Sequence, residues 1–129
     1  MNETVSPLVR GLGQVSVRVR DVARAAAFYR DMLGLPLLYQ ESKLALVACG
    51  GVRLILSAPE SPQFDHPGSV LYLTVDDIHE AQERLSARGV AFAGKPHKIA
   101  ELNGVATWMT FFNDSEDNTL ALMSEVPAE

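Results

Sequence analysis

The side chains whose types and positions could do chemistry are Gln14, Arg18, Arg53, Tyr72, His97, Glu101 and Trp108. Arg18 and Arg53 carry guanidinium groups, which in a partly dry cleft select bidentate anions such as carboxylate or phosphate. Gln14 can donate and accept amide hydrogen bonds. His97 and Glu101 could serve as acid and base, with Tyr72 as a third candidate, and Tyr72 and Trp108 could stack on a planar ligand. Each has a plainer alternative. An internal acid can neutralise either arginine, a loop histidine ordinarily faces water, and aromatics at strand spacing are ordinarily core. His66 and His79 read as solvent-facing, and the three histidines fit no compact metal motif. Cys49, the single cysteine, reads as a small buried hydrophobe rather than a nucleophile.

The elements that would position these groups come in two similar series. Val15, Val17 and Val19 alternate with Gln14, Ser16 and Arg18, which predicts a strand with one buried face. Asp21 stands where an N-cap belongs, and Val22, Ala25, Ala26, Tyr29 and Leu33 form one helical stripe that Gly34 ends. Leu35 to Tyr39 reads as an edge strand because of Pro36. Leu44 to Cys49 and Val52 to Ser57 read as a hairpin around Gly50-Gly51. After a proline-rich connector, Val70 to Val75 alternates again, Asp77 and Glu80 form a capping box, and Ile78, Ala81 and Leu85 make a second stripe ended by Gly89. Val90 to Phe92 is the next predicted strand. Lys95 to Gly104 is polar and aperiodic, a lid carrying His97 and Glu101, and Trp108 to Phe112 and Thr119 to Met123 form a last hairpin.

Two strand–helix–strand–strand–strand units in tandem are a duplication. The fold class is therefore α+β, a single domain of two βαβββ modules over about 11–57 and 69–124, joined by a connector at 58–68. Met1 to Arg10 and Glu125 to Glu129 read as tails. Each sheet would have one helix-covered face and one open face, and open faces this apolar would meet each other or a partner chain around a cleft. Strand parity puts Gln14, Ser16, Arg18, Arg53, Ile55, Ser57, Val70, Tyr72, Thr74, Thr119, Ala121 and Met123 on the open side.

Composition limits the partners. With 47% hydrophobic and 21% charged residues the chain has the makeup of a globular protein, and a net charge of −5 without a basic cluster argues against nucleic acid. No apolar run is long enough to span a membrane and no secretory signal is seen, so the expected location is the cytoplasm.

Val19-Arg20-Asp21, Ala27-Phe28-Tyr29-Arg30-Asp31, Leu33-Gly34-Leu35, Val75-Asp76-Asp77-Ile78 and Phe112-Asn113-Asp114 with Asn118 resemble the glyoxalase / bleomycin-resistance / extradiol-dioxygenase (vicinal oxygen chelate) superfamily. The resemblance implies paired βαβββ modules forming curved mixed sheets, a homodimer, and a cleft inside the sheets. It implies no single chemistry, since metal-dependent lyases, isomerases, dioxygenases and epimerases share the fold with metal-free drug-binding proteins. Members that use a metal draw one ligand from each of four strands, and the corresponding positions here are Gln14, Ile55, Val70 and Ala121. Alkyl groups cannot coordinate, so no metal and no cofactor are expected. The last turn reads Asp114-Ser115-Glu116-Asp117-Asn118 where the family has Asp-Pro-Asp-Gly-Asn, and Asp117 tolerates the left-handed geometry that glycine would take.

The expected function is the binding of a small organic, anionic molecule in a metal-free cleft, with Gln14, Arg18, Arg53, Tyr72, His97 and Trp108 as contacts. Two enzymatic alternatives stand beside it. One is a metal-dependent lyase, isomerase or dioxygenase using Gln14 with His97 and Glu101. The other is a metal-free acid–base enzyme using His97, Glu101 or Tyr72. Were there turnover, the resemblance implies a lyase or isomerase. A module that binds no ligand would instead have a filled cleft.

Overall fold

The alternating valines form strand β1 (Gln14–Arg18), whose buried side faces a helix, as their period requires. The structure, a computed structural model, describes residue 8 and residues 10–59 and 62–129. Met1 to Pro7 and Val9 of the expected N-terminal tail, and Glu60-Ser61 of the connector, lie outside the described residues. Asp21 caps α1 (Val22–Ala27) by accepting from the Arg24 amide at 3.0 Å. The helix then widens into a π-helical turn over Phe28–Met32, which the alanine spacing does not announce, and ends at Gly34 with φ +76°.

Strands β2 (Leu37–Gln40), β3 (Leu44–Cys49) and β4 (Val52–Ser57) complete the first module. The sheet order is β1-β4-β3-β2. The β1–β4 pair is parallel and the others are antiparallel, so the sheet is mixed and β2 is an edge, as Pro36 suggested. β2 begins two residues later than expected because the Leu35 amide is spent closing the helix end on the Tyr29 carbonyl, 3.0 Å away.

The second module repeats this permutation. β5 (Leu71–Thr74), α2 (Ile78–Ala87), β6 (His97–Leu102), β7 (Val105–Asn113) and β8 (Thr119–Pro127) give the sheet order β5-β8-β7-β6, again with one parallel pair. The Asp77 cap is as expected, accepting from the amides of His79 and Glu80 at 3.1 Å. The return half of the capping box is replaced by a contact between Glu80 and Arg84 at 3.7 Å.

Three expectations need correction. Val90 to Phe92 makes only a single bridge, Phe92 to Phe112. The supposed lid from Lys95 to Gly104 contains β6, an edge strand joined to β7 by a two-residue turn. Asn103 and Gly104 adopt φ +52° and +77° in that turn, the geometry an Asn-Gly hairpin demands. The C-terminal residues are also no loose tail: β8 runs to Pro127, which pairs with Val105, and the Ala128 amide donates to the Gly104 carbonyl at 2.8 Å.

The helix-bearing sides of the two sheets build one contiguous core, from Val19, Tyr29, Val47 and Leu56 to Ile78, Phe112 and Leu120. A clasp fastens the modules. The β7–β8 turn docks on the junction of β1 and α1, where Asp114 accepts from the Tyr29 hydroxyl at 2.7 Å and Asn118 donates to the Arg18 carbonyl at 2.8 Å. The Glu116 carboxylate, 0% exposed, accepts from the amides of Arg20 and Asp21 at 2.9 Å and from Arg24 Nε at 2.6 Å. Asp117 takes φ +64°, as a residue in glycine's place must.

Candidate functional site

Strand register sets out the two open faces row by row. On the first sheet Gln14 neighbours Arg53, which neighbours Ala48. The next row holds Ser16, Ile55 and Leu46, and the third holds Arg18, Ser57 and Leu44. On the second sheet one row is Tyr72, Ala121 and Phe111, and the next is Thr74, Met123, Met109 and His97. Each face thus has an apolar centre between polar ends, because alternation along every strand sends the large aliphatics to the helix side. These faces stay open in the single chain. Gln14, Ser16, Arg53 and Thr74 are exposed, and Tyr72 keeps 47% of its surface in solvent.

The two arginines differ. Arg18 Nη1 lies 3.2 Å from Asp65 of the connector, so an internal acid already answers its charge. Arg53 has no ion-pair partner among the described residues. Its five N–H groups are free to meet an anion beside the Gln14 amide. Tyr72 stands edge-on to Phe111 with ring centroids 6.2 Å apart, which shields Ala121 completely and presents one aromatic face outward.

Two candidates do not join this set. Trp108 lies on the helix side of β7, where it meets His79 of α2 edge-on at 5.2 Å and packs against the core. Glu101 lies on that side too, in register with Ala106 and 3.0 Å from Lys98 Nζ. His97 sits on the opposite face, in register with Met109, its Nδ1 3.3 Å from the Lys95 carbonyl. A bulge between Lys98 and Ala100 separates the two. Within the chain, register thus puts His97 and Glu101 on opposite faces of β6, and Gln14 lies on the first sheet while β6 is the far edge of the second.

The four positions at which the resemblance sets metal ligands do not fit a metal. Gln14 offers one neutral oxygen, while Ile55, Val70 and Ala121 offer only carbon. Among the described residues no three His, Cys, Asp or Glu side chains stand close enough to hold an ion. Cys49 is half-buried and burial raises its thiol pKa, which keeps it from acting as a thiolate.

Glu116 is the charged group that sequence reasoning passed over. Burial works to raise its pKa, but the bond from Arg24, the amides of Asp21 and Arg20, and the Ser115 hydroxyl outweigh burial and hold it down at about 2. Its partners lie in the clasp, away from the open faces, so its role is structural. The signal was present in the departure from the usual Asp-Pro-Asp-Gly-Asn turn.

Residues 11–122 match the family described as Glyoxalase/Bleomycin resistance protein/Dioxygenase superfamily. Comparison with curated protein sequences finds no match. Among solved structures, a member of that superfamily from Sphaerobacter thermophilus is 23% identical with a TM-score of 0.77, the match covering 92% of this chain and 99% of that one. An antibiotic-binding protein from a Streptomyces species is 26% identical with a TM-score of 0.73, covering 94% and 100%. A lactoylglutathione lyase from Agrobacterium tumefaciens is 19% identical with a TM-score of 0.70, covering 92% and 96%.

Proposed function

The chain belongs to the Glyoxalase/Bleomycin resistance protein/Dioxygenase superfamily, and from that premise we propose that it binds a small organic anion, without a metal, in a cleft walled by its open sheet faces. The observation that carries this reading is the first sheet's donor set. Arg53 and Gln14 stand side by side, with Ile55 where a metal ligand would stand. The guanidinium takes the carboxylate, sulfonate or phosphate of the ligand in a two-point contact, and Gln14 adds a neutral hydrogen bond. Tyr72, Phe111 and Met109 offer an aromatic and thioether wall for its planar or apolar body. A second copy of the chain covers the open faces and completes the cleft, since half-exposed Tyr72 and Tyr39 are poor residues to leave in water. The protein acts by holding its ligand. The likeness to an antibiotic-binding protein supports that reading over turnover.

Two measurements test it. After dialysis against a chelator and back into buffer containing divalent ions, the purified protein is expected to retain less than stoichiometric metal, and a tightly held equivalent of iron, nickel, zinc or manganese would overturn the reading. Titration with naphthoate, a planar aromatic carboxylate, is expected to show saturable binding that Arg53→Ala weakens about 10-fold or more, in line with the 1.5–3 kcal/mol of a hydrogen bond to a charged group. Equal affinity in the two proteins would remove Arg53 from the site.

A further inference from the structure

A cavity of about 800 Å³ lies where the modules meet, lined mainly from their helix-bearing sides and reaching around the β5 edge to Tyr72 and Thr74 of the open face. Val15 and Leu35 line it from the first module, and Leu71, Leu73 and Leu85 from the second. Most of the apolar residues that the core leaves only partly buried border this one space. The two stripes therefore stop short of covering each other along the seam, and apolar wall remains in contact with solvent.

The charge at this cavity is one-sided. Ala81, Arg84, Leu85 and Arg88 follow the three- and four-residue spacing of a single helical stripe, so both guanidinium groups border the cavity that Leu85 helps to floor. Arg84 lies in the last turn of α2 and Arg88 is its C-cap, so the helix end favours both cations, and their own partners leave donors over. Arg84 meets Glu80 only at 3.7 Å, with both side chains about two-thirds exposed, and Arg88 uses one donor on the Met32 carbonyl at 2.8 Å. The remaining N–H groups are available to a single anion held between them.

We propose that the seam cavity is a second binding site, for a straight-chain amphipathic carboxylate. The head group bridges Arg84 and Arg88, and the alkyl chain runs between Val15 and Leu73 across the junction. An aliphatic tail suits the lining because the described wall offers it aliphatic contacts and no buried charge to desolvate. Such a ligand ties the modules together and raises the melting temperature as it saturates the protein.

Calorimetric titration of the full chain with dodecanoate tests this. Saturable binding is expected, tightening about fourfold per added methylene between octanoate and dodecanoate, the factor that one buried CH₂ supplies. The double variant Arg84→Glu with Arg88→Glu is expected to weaken dodecanoate at least 10-fold. Ala81→Phe, which fills the cavity and keeps both charges, is expected to do the same, and circular dichroism verifies that each variant folds. Arg53→Glu, on the open face, is expected to change dodecanoate affinity less than twofold, which separates this site from the cleft. Absence of binding, affinity independent of chain length, or a loss that follows Arg53 rather than Arg84 and Arg88 would overturn the proposal. So would a crystal structure in which residues 1–9 or a second copy fill the seam.

Discussion

Glu116→Ala is expected to lower the melting temperature by about 10 °C, corresponding to about 3 kcal/mol for a domain of this size. The substitution leaves the amides of Arg20 and Asp21 without an acceptor in a part-buried setting, and each such orphan costs about 1–3 kcal/mol. Arg24 is half exposed and recovers part of its loss from water. Glu116→Gln keeps an oxygen for the two amides and removes the charge, so near neutral pH it should cost about 2 kcal/mol, the contribution of the charged form. The two variants also separate in acid. The folded state holds Glu116 at about 2 against an ordinary 4.5, so its contribution is complete above about pH 4.5 and is lost as pH falls toward 2. That contribution is about 2 kcal/mol once solvent screening of Arg24 is allowed for. Urea midpoints measured from pH 5 to pH 2 should fall more steeply for the wild type than for Glu116→Gln, and parallel curves would show that the carboxylate is not the linked group.

The second large effect is at Tyr29, among the bulkiest fully buried side chains. Tyr29→Ala is expected to cost about 4 kcal/mol, as removal of a buried aromatic ring ordinarily does. Tyr29→Phe should cost about 1–2 kcal/mol, because the ring stays and only the bond to Asp114 goes. Burial, then the charge of Asp114 and the bond to it, raise the phenol pKa far above neutrality, so the hydroxyl remains a donor at every working pH. Asp114 keeps bonds from the amides of Glu116 and Asn118, which limits the damage in the phenylalanine variant. Denaturant unfolding of both variants gives the two costs, and a neutral Tyr29→Phe would mean that the clasp packs by shape alone.

The duplicated architecture was legible because each element carried its own local signal. Valine alternation, the caps Asp21 and Asp77, and the stops Gly34 and Gly89 all act within a few residues. The strand at His97–Leu102 was not, for a physical reason: on an edge with both sides exposed, no face is selected for apolar residues, and alternation disappears. Asn103-Gly104 was the available clue, since that dipeptide closes hairpins whatever its neighbours. Parity placed the open-face groups Gln14, Arg18, Arg53 and Tyr72, all on strands with one buried side. Trp108 joined them not by parity but as an aromatic that could stack on a ligand, whereas register sends it to α2. The clasp could not be read locally at all, because each of its acids finds its partner on the other module.

That last property bears on how the molecule comes together. The bonds from Tyr29 to Asp114 and from Asn118 to the Arg18 carbonyl join positions 85 to 100 residues apart along the chain. The β3–β4 and β7–β8 pairs close short loops and can form early, whereas the clasp must wait for both modules and bear the entropy of a loop spanning most of the chain. Contacts made after the folding barrier leave the folding rate almost untouched and act on the unfolding rate. Stopped-flow chevrons of Tyr29→Phe and Glu116→Gln should therefore differ from the wild type chiefly in the unfolding arm. The turn at Asp114–Asn118 thus acts as a latch on the lifetime of the native state, closing last and releasing first.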